Sequence, residues 1–524
     1  MSLVTKTGSF IGSTNKLLAA ANVVSASSMN HRFQEPHKIG YPDGWGTGPT
    51  EEWYKSQPTT RFTHLQYRKE YEKPFQHEYV VAELDNDTVC RFDRRGDVNT
   101  RANAFTLEGM GAEDTAHVIQ KSEGHFSEIQ DTSEMLARVH FSGGQDLRTI
   151  LCICYGVQKD DRTRAYTLTK YNCYFLSWTI ITATARRTVD WEFIGKDNDT
   201  WDELIRTTID ALKSKPSVLS RVKQGTTFLL PGRKNGAYAA TDTRKVPFVG
   251  MSYLVGTLRK AIYSTRADMQ KSLGELILKS TVKDFVQSIS YESAQRAAAL
   301  AARNHAAHAA RDAAMEAVIE AMWGTILSSQ DGGQQWQDQS KAAEIAVWKA
   351  ASAAADSDSQ VHEGESGAAD WNEVWDSAWI ENWDVQTSDV QSKTSGRKSA
   401  SGQAAISTRA KEAWRKAWTD ACQASIDCVP VLSEGVSDYV EKNLPNSSNM
   451  LGVEIMESKL HNMLGIGTED PNSYLQDYVQ RRIREHCLFV RNLGVFRDPG
   501  DIEEAMRRIW VHALMVMNAE VTQR

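Results

Sequence analysis

Two spatial periods divide this chain. Around His77-Glu-Tyr-Val-Val-Ala-Glu-Leu84 the residues are β-rich, a turn-forming Asp85-Asn86-Asp87 follows, and Thr88-Val-Cys-Arg-Phe-Asp93 resumes the pattern. Two such runs joined by a turn triplet predict a hairpin. Thr149-Ile-Leu-Cys-Ile-Cys-Tyr155 is a short apolar run that predicts another strand. Its period of two puts Cys152 and Cys154 on one face, as core residues and not ligands. From Tyr166 to Asn172 the residues alternate, and from Cys173 to Ile181 they form an apolar run with helical spacing. That change of period predicts a strand running into a helix, with Cys173 on the helix's first turn.

Beyond about residue 200 the helical period takes over. Trp201 to Leu212 reads as an amphipathic helix opened by Asn198-Asp-Thr, residues 225–250 as a loop-rich crossing, and the chain after Ser252 as overwhelmingly helical. Residues 291–326 are rich in alanine, the strongest helix former. Residues 327–340, 352–370 and 386–405 read as linkers or mobile loops. Trp371, Trp375, Trp379 and Trp383 recur every four residues, and Trp414, Trp418 and Trp348 sit in similar surroundings. Four residues turn a helix by about 400°, so the row stays on one face and reads as packing between helices. Further helices are expected from Val453 onward, including Asp501 to Leu514.

The fold class expected is therefore an α+β N-terminal domain, an antiparallel sheet packed on the helix that carries Cys173, followed by a large all-α helical domain. The divisions are a tail and irregular arm over 1–60, the α+β domain over 61–200, a connector with Ala-rich helices over 201–330, and a Trp-rich helical domain over 331–524.

Composition narrows the function. The 524 residues carry a net charge of −7, so no basic excess points to nucleic acid. No stretch approaches 18 apolar residues, so no spanning helix is expected. The seven cysteines (Cys90, Cys152, Cys154, Cys173, Cys422, Cys428 and Cys487) contain no C-x-x-C pair. That argues against a zinc ribbon and for a reduced, cytoplasmic setting. The first 32 residues are Ser-rich, make a poor transit or secretory signal, and read as a disordered tail.

Candidate chemistry centres on Cys173. Unpaired N–H groups and the helix dipole at a helix start favour a thiolate. A thiol nucleophile also needs a base and a group that orients the base. No histidine lies between His140 and His305, so a partner within the same domain must lie upstream. The candidates are His64, in a stretch without clear pattern; His77, heading the hairpin; His117 and His125, in expected loops or helix ends; and His140, in an expected strand.

A histidine heading a hairpin, followed about a hundred residues later by Asn-Cys at a helix start, resembles the circularly permuted NlpC/P60-like enzymes. These are papain-like thiol enzymes that include the lecithin:retinol acyltransferase-like group. The residues that carry the resemblance are His77-Glu-Tyr-Val-Val, Asn86-Asp-Thr-Val-Cys-Arg-Phe and Asn172-Cys-Tyr-Phe-Leu, over roughly residues 70–190. Two departures stand out: Tyr174 and Phe175 follow the cysteine where the family has an acidic residue and a histidine, and the second strand offers Cys90, Arg91 or Asp93 in place of a histidine. Of these, Asp93 is the ordinary imidazole partner. The resemblance implies Cys173 as nucleophile, His77 as general base and then acid, Asp93 as orienting group, and Asn172 and Tyr174 at the oxyanion side of the helix start.

The expected function is a hydrolase or acyltransferase that takes an amide or ester through a Cys173 thioester, with no cofactor. The alternative is a non-enzymatic helical interaction or self-assembly protein with a degenerate papain-like domain, in which Cys173 is a core cysteine. The helical domain offers a surface for a protein partner or self-association. His305 and His308 share a helix face, and Asp356, Asp358, Glu363 and Glu365 form an acidic loop, but neither has a metal site's full ligand spacing. Gly143-Gly144 and Gly232 to Gly236 lack the Gly-Lys-Ser/Thr ending of a phosphate loop. Arg481, Arg482, Arg484 and Lys459 read as a solvated basic face.

Overall fold

The computed structural model describes residues 35–72, 76–97, 103–214, 249–297, 427–445, 451–456 and 470–523, apart from a few single positions. The N-terminal tail, the 225–250 crossing but for its last residues, the tryptophan row, His305, His308 and the acidic loop lie outside the described residues. In chain order the elements are β1 (His37–Lys38), α1 (Gly48–Ser56), β2 (Arg61–Glu70), β3 (Glu78–Leu84), β4 (Thr88–Gly96), β5 (Met110–Gln120), α2 (Gly124–Thr132), β6 (Ser133–Asp146), α3 (Leu147–Lys159), β7 (Ala165–Tyr166), α4 (Cys173–Arg186), α5 (Asn198–Ser214), α6 (Val249–Ser264), α7 (Arg266–Glu275), β8 (Leu451–Ile455), α8 (Pro471–Asn492) and α9 (Pro499–Gln523).

The chain divides into two units. The first comprises residues 1–193, 270–282 and 444–524. Its sheet runs β1-β5-β4-β3-β2-β6-β8 with every pairing antiparallel, and β7 adds two residues to β5. The expected hairpin is β3–β4, in the register Val80↔Phe92 and Ala82↔Cys90, with Asp87 in the left-handed region at φ 62° in its turn. Alternation then sorts the side chains. Val80, Ala82, Leu84, Cys90 and Phe92 join Leu65 and Tyr67 of β2 in the main core. Tyr79, Val81 and Val89 go to a smaller core with Ile119 of β5 and Ile129 of α2.

Helix α4 packs on β2, β3 and β4 and also touches α3, α8 and α9. That explains a helix with no polar face, since neighbours surround it. Phe175, Leu176, Trp178, Ile180 and Ile181 are all buried, each such side chain contributing roughly 1.5–3 kcal/mol. The second unit, residues 194–269 and 283–443, is mostly helical where it is described. In it α5 packs on α6, the Tyr439 hydroxyl donates to Thr200 O at 3.3 Å, and Lys283 pairs with Asp438 at 2.8 Å.

Several elements differ from expectation. Thr149–Tyr155 is not a strand but the middle of α3, capped by the Asp146 carboxylate, which accepts from Arg148 N at 2.7 Å. An apolar run buried all round carries no period that separates helix from strand. Cys152 and Cys154 are both buried and free, as core residues. His64 and His117 lie on strands β2 and β5, whereas His125 stands at the start of α2, a helix end as expected. Of the expected strand over residues 166–172 only Tyr166 is paired, in β7 with Ala165. The C-terminal stretch contains two long helices, as expected, but also strand β8, which pairs with β6, and it belongs to the same unit as the sheet.

Candidate active site

Three local features bring the site together. Gln76, at φ 41°, turns the chain into β3, and His77 O accepts from Glu70 N at 2.8 Å, which fixes the residue heading the hairpin. Asp93 lies on β4. Cys173 is the first residue of α4, where N–H groups have no intrahelical acceptor. All three are buried, at 3%, 5% and 4% exposure.

His77 Nε2 is hydrogen-bonded to Asp93 Oδ1. Its Nδ1 is buried and makes no formed hydrogen bond, yet the Cys173 thiol is close enough to act on the imidazole through charge and as a hydrogen-bond partner. Burial would lower the imidazole's pKa; Cys173 and Asp93 outweigh it and raise it to about 9. Burial would likewise raise the Asp93 carboxyl, but Arg91, Arg95 and His77 hold it well below the usual carboxylate range. His77, Asp93 and Cys173 are thus one buried cluster, with the Asp93 carboxylate hydrogen-bonded to the imidazole and the Cys173 thiol near it.

The fourth member escaped the sequence. The Tyr166 hydroxyl meets both the Cys173 side chain and the Cys173 backbone N–H, and its pKa stands well above the ordinary phenol value, first through burial and then through Cys173. Six residues forming a turn lie between the two, so no regular strand or helix relates them.

Asn172 caps α4. Its Oδ1 accepts from Phe175 N at 3.2 Å and its Nδ2 donates to Leu168 O at 3.0 Å, so its amide orients the helix start with both ends in use. The Tyr174 ring lies against Trp178 and His486, at 6.1 and 5.5 Å between centroids. His486 comes from α8, with its pKa lowered to about 4 by burial, so it is neutral near pH 7. Beside His77, Glu78 accepts from Tyr67 and pairs with Arg482, also of α8, while Trp178 Nε1 donates to Tyr67 at 2.8 Å.

His64 and His140 face each other across β2 and β6, 4.7 Å between centroids. Burial pushes the thiols of Cys90, Cys152 and Cys154 up, which keeps them protonated. Among the described residues no group of three or more His, Cys, Asp or Glu side chains could hold a metal ion, and no helix is long and apolar enough to cross a membrane.

No family model matches this chain, and no curated protein or solved structure matches it.

Proposed function

We propose that this chain is a thiol-dependent hydrolase or acyltransferase that takes an amide or ester through a thioester on Cys173. The observation that carries the reading is the cluster itself: a thiol at a helix start beside an imidazole whose far nitrogen is bound by a buried carboxylate. In this reading the Cys173 sulfur, its proton already held by His77, attacks the carbonyl carbon. The oxyanion is held by the Cys173 N–H and the Tyr166 hydroxyl. Its collapse breaks the C–N or C–O bond, and the leaving group takes the proton from His77. Water or another nucleophile then attacks the thioester and gives its proton to His77, and collapse of the intermediate releases the sulfur beside the protonated ring. Asp93 keeps Nε2 hydrogen-bonded throughout, so that Nδ1 faces the sulfur.

The burial of Cys173 favours a second reading, a scaffold in which this cluster is structural and the helical part serves interaction or self-assembly. Iodoacetamide labelling of the native protein at mildly acidic pH, mapped by mass spectrometry, separates the two. Fast labelling confined to Cys173 and lost in His77→Ala is expected for the enzyme. Slow labelling, or labelling indifferent to His77→Ala, leaves the scaffold.

A further inference from the structure

The carboxylate that orients His77 is itself gripped. Arg91 Nη2 donates to Asp93 Oδ1 at 3.0 Å, and Arg91 Nε donates to Oδ2, so the guanidinium meets the carboxylate as a fork. Asp93 Oδ1 is therefore shared between Arg91 and His77 Nε2. Arg91 is fixed in turn: its Nη2 also donates to Glu70 Oε1 at 2.9 Å, and its guanidinium lies 3.6 Å from the centre of the Tyr79 ring. Tyr79 stacks on His77, 6.2 Å between centroids. The result is a buried row, Glu70–Arg91–Asp93–His77–Cys173, in which charge alternates from β2 through β4 to the start of α4.

We infer that Arg91 is a positioning residue for the thiol chemistry: its fork presents Asp93 Oδ1 to His77, and its charge sets how firmly Asp93 holds a proton on the imidazole. The inference rests on the thiol–imidazole reading above. An Asp93 that faced His77 alone would bring its whole negative charge to bear on the ring. With Arg91 on both oxygens, part of that charge is already matched. The other groups facing the row are Arg95 of β4, 3.9 Å from Asp93 Oδ1, Tyr166 of β7, and His117, paired across from Arg91 on β5. Arg91 grips both Asp93 oxygens, and lysine, a point charge, cannot reproduce that two-point contact.

The test is an NMR titration of isotope-labelled histidine, with His77→Ala to assign the His77 signal, alongside Cys173 alkylation rates. Arg91→Gln is expected to raise the pH at which His77 titrates by about one unit. Arg91→Lys keeps the charge, so its titration should stay near the wild-type value while alkylation slows on the order of 10- to 100-fold, because the imidazole is no longer held in line. Arg91→Gln leaves two buried carboxylates facing each other; if it does not fold, Arg91→Gln with Glu70→Gln removes one of them and the same alkylation rate decides. A folded variant with wild-type titration and wild-type alkylation overturns the inference. Labelling of Cys173 that ignores His77→Ala overturns the thiol–imidazole reading itself, so the two failures are distinguishable.

Discussion

At the scale of single residues, His77 holds its proton against its surroundings. Burial opposes the charged ring, and Cys173 and Asp93 restore it, to about 9. The folded value lies above the unfolded one of about 6.5, so protonation stabilises the fold. That stabilisation is fully present below about pH 6.5 and is lost as the pH rises through about 9. Its ceiling is on the order of 3 kcal/mol. Denaturant melts at pH 6 and pH 9.5 should therefore show wild type losing more stability than His77→Gln over that interval. Equal losses would mean that the imidazole is neutral in the fold. His77 and Cys173 were legible as candidates because each sits where a period changes or a turn ends, and Asp93 because the resemblance asks for a polar residue on the second strand. Tyr166 was not, since its place beside Cys173 depends on the tight turn of residues 167–172.

At the scale of elements, α4 shows why a helix start can be read and a buried run cannot. Asn172 marks a boundary because its side chain does there what only a few side chains can do, accepting from an N–H of the first turn. Asn172→Ala removes the cap and the tie to Leu168 O, and should cost about 1–2 kcal/mol. Asn172→Asp, which keeps the acceptor and loses the donor, should cost less. Thermal melts rank the two, and an alanine variant as stable as wild type would show that the cap carries no weight. Thr149–Tyr155 has no such mark within it. Leu147, Ile150, Leu151, Cys152, Ile153 and Cys154 are all buried, so polar positions that would reveal a period of 3.6 are missing, and only Asp146 ahead of the run signals a helix. Strand β8 was equally hidden, because five residues, Leu451 to Ile455, have a partner only after nearly the whole chain has returned to β6.

At the scale of the whole molecule, that return changes the extent of the unit that carries Cys173. The sequence suggests a self-contained unit over 61–200, yet the sheet is completed by β8, and the far side of α4 is met by α8 and α9. The main core contains Leu451, Tyr478, Val479, Ile483, Ile509 and Trp510 alongside the residues of β2, β3 and α4. Arg482 reaches Glu78, next to His77, and its loss would strand a buried carboxylate, a change that costs roughly 3–5 kcal/mol. A fragment ending at residue 193 would expose the β6 edge and the apolar sides of α3 and α4 together, more than a domain's net stability of about 5–15 kcal/mol can absorb. Residues 35–193 expressed alone should therefore aggregate or lack a cooperative melt. Co-expression with residues 444–524 should recover a soluble complex by gel filtration, with the circular dichroism of a mixed sheet and helix. A fragment 35–193 that melts cooperatively by itself would mean that the C-terminal helices cover a domain already complete. If the fragment needs its partner, the local order of the thiol site depends on residues some three hundred positions downstream.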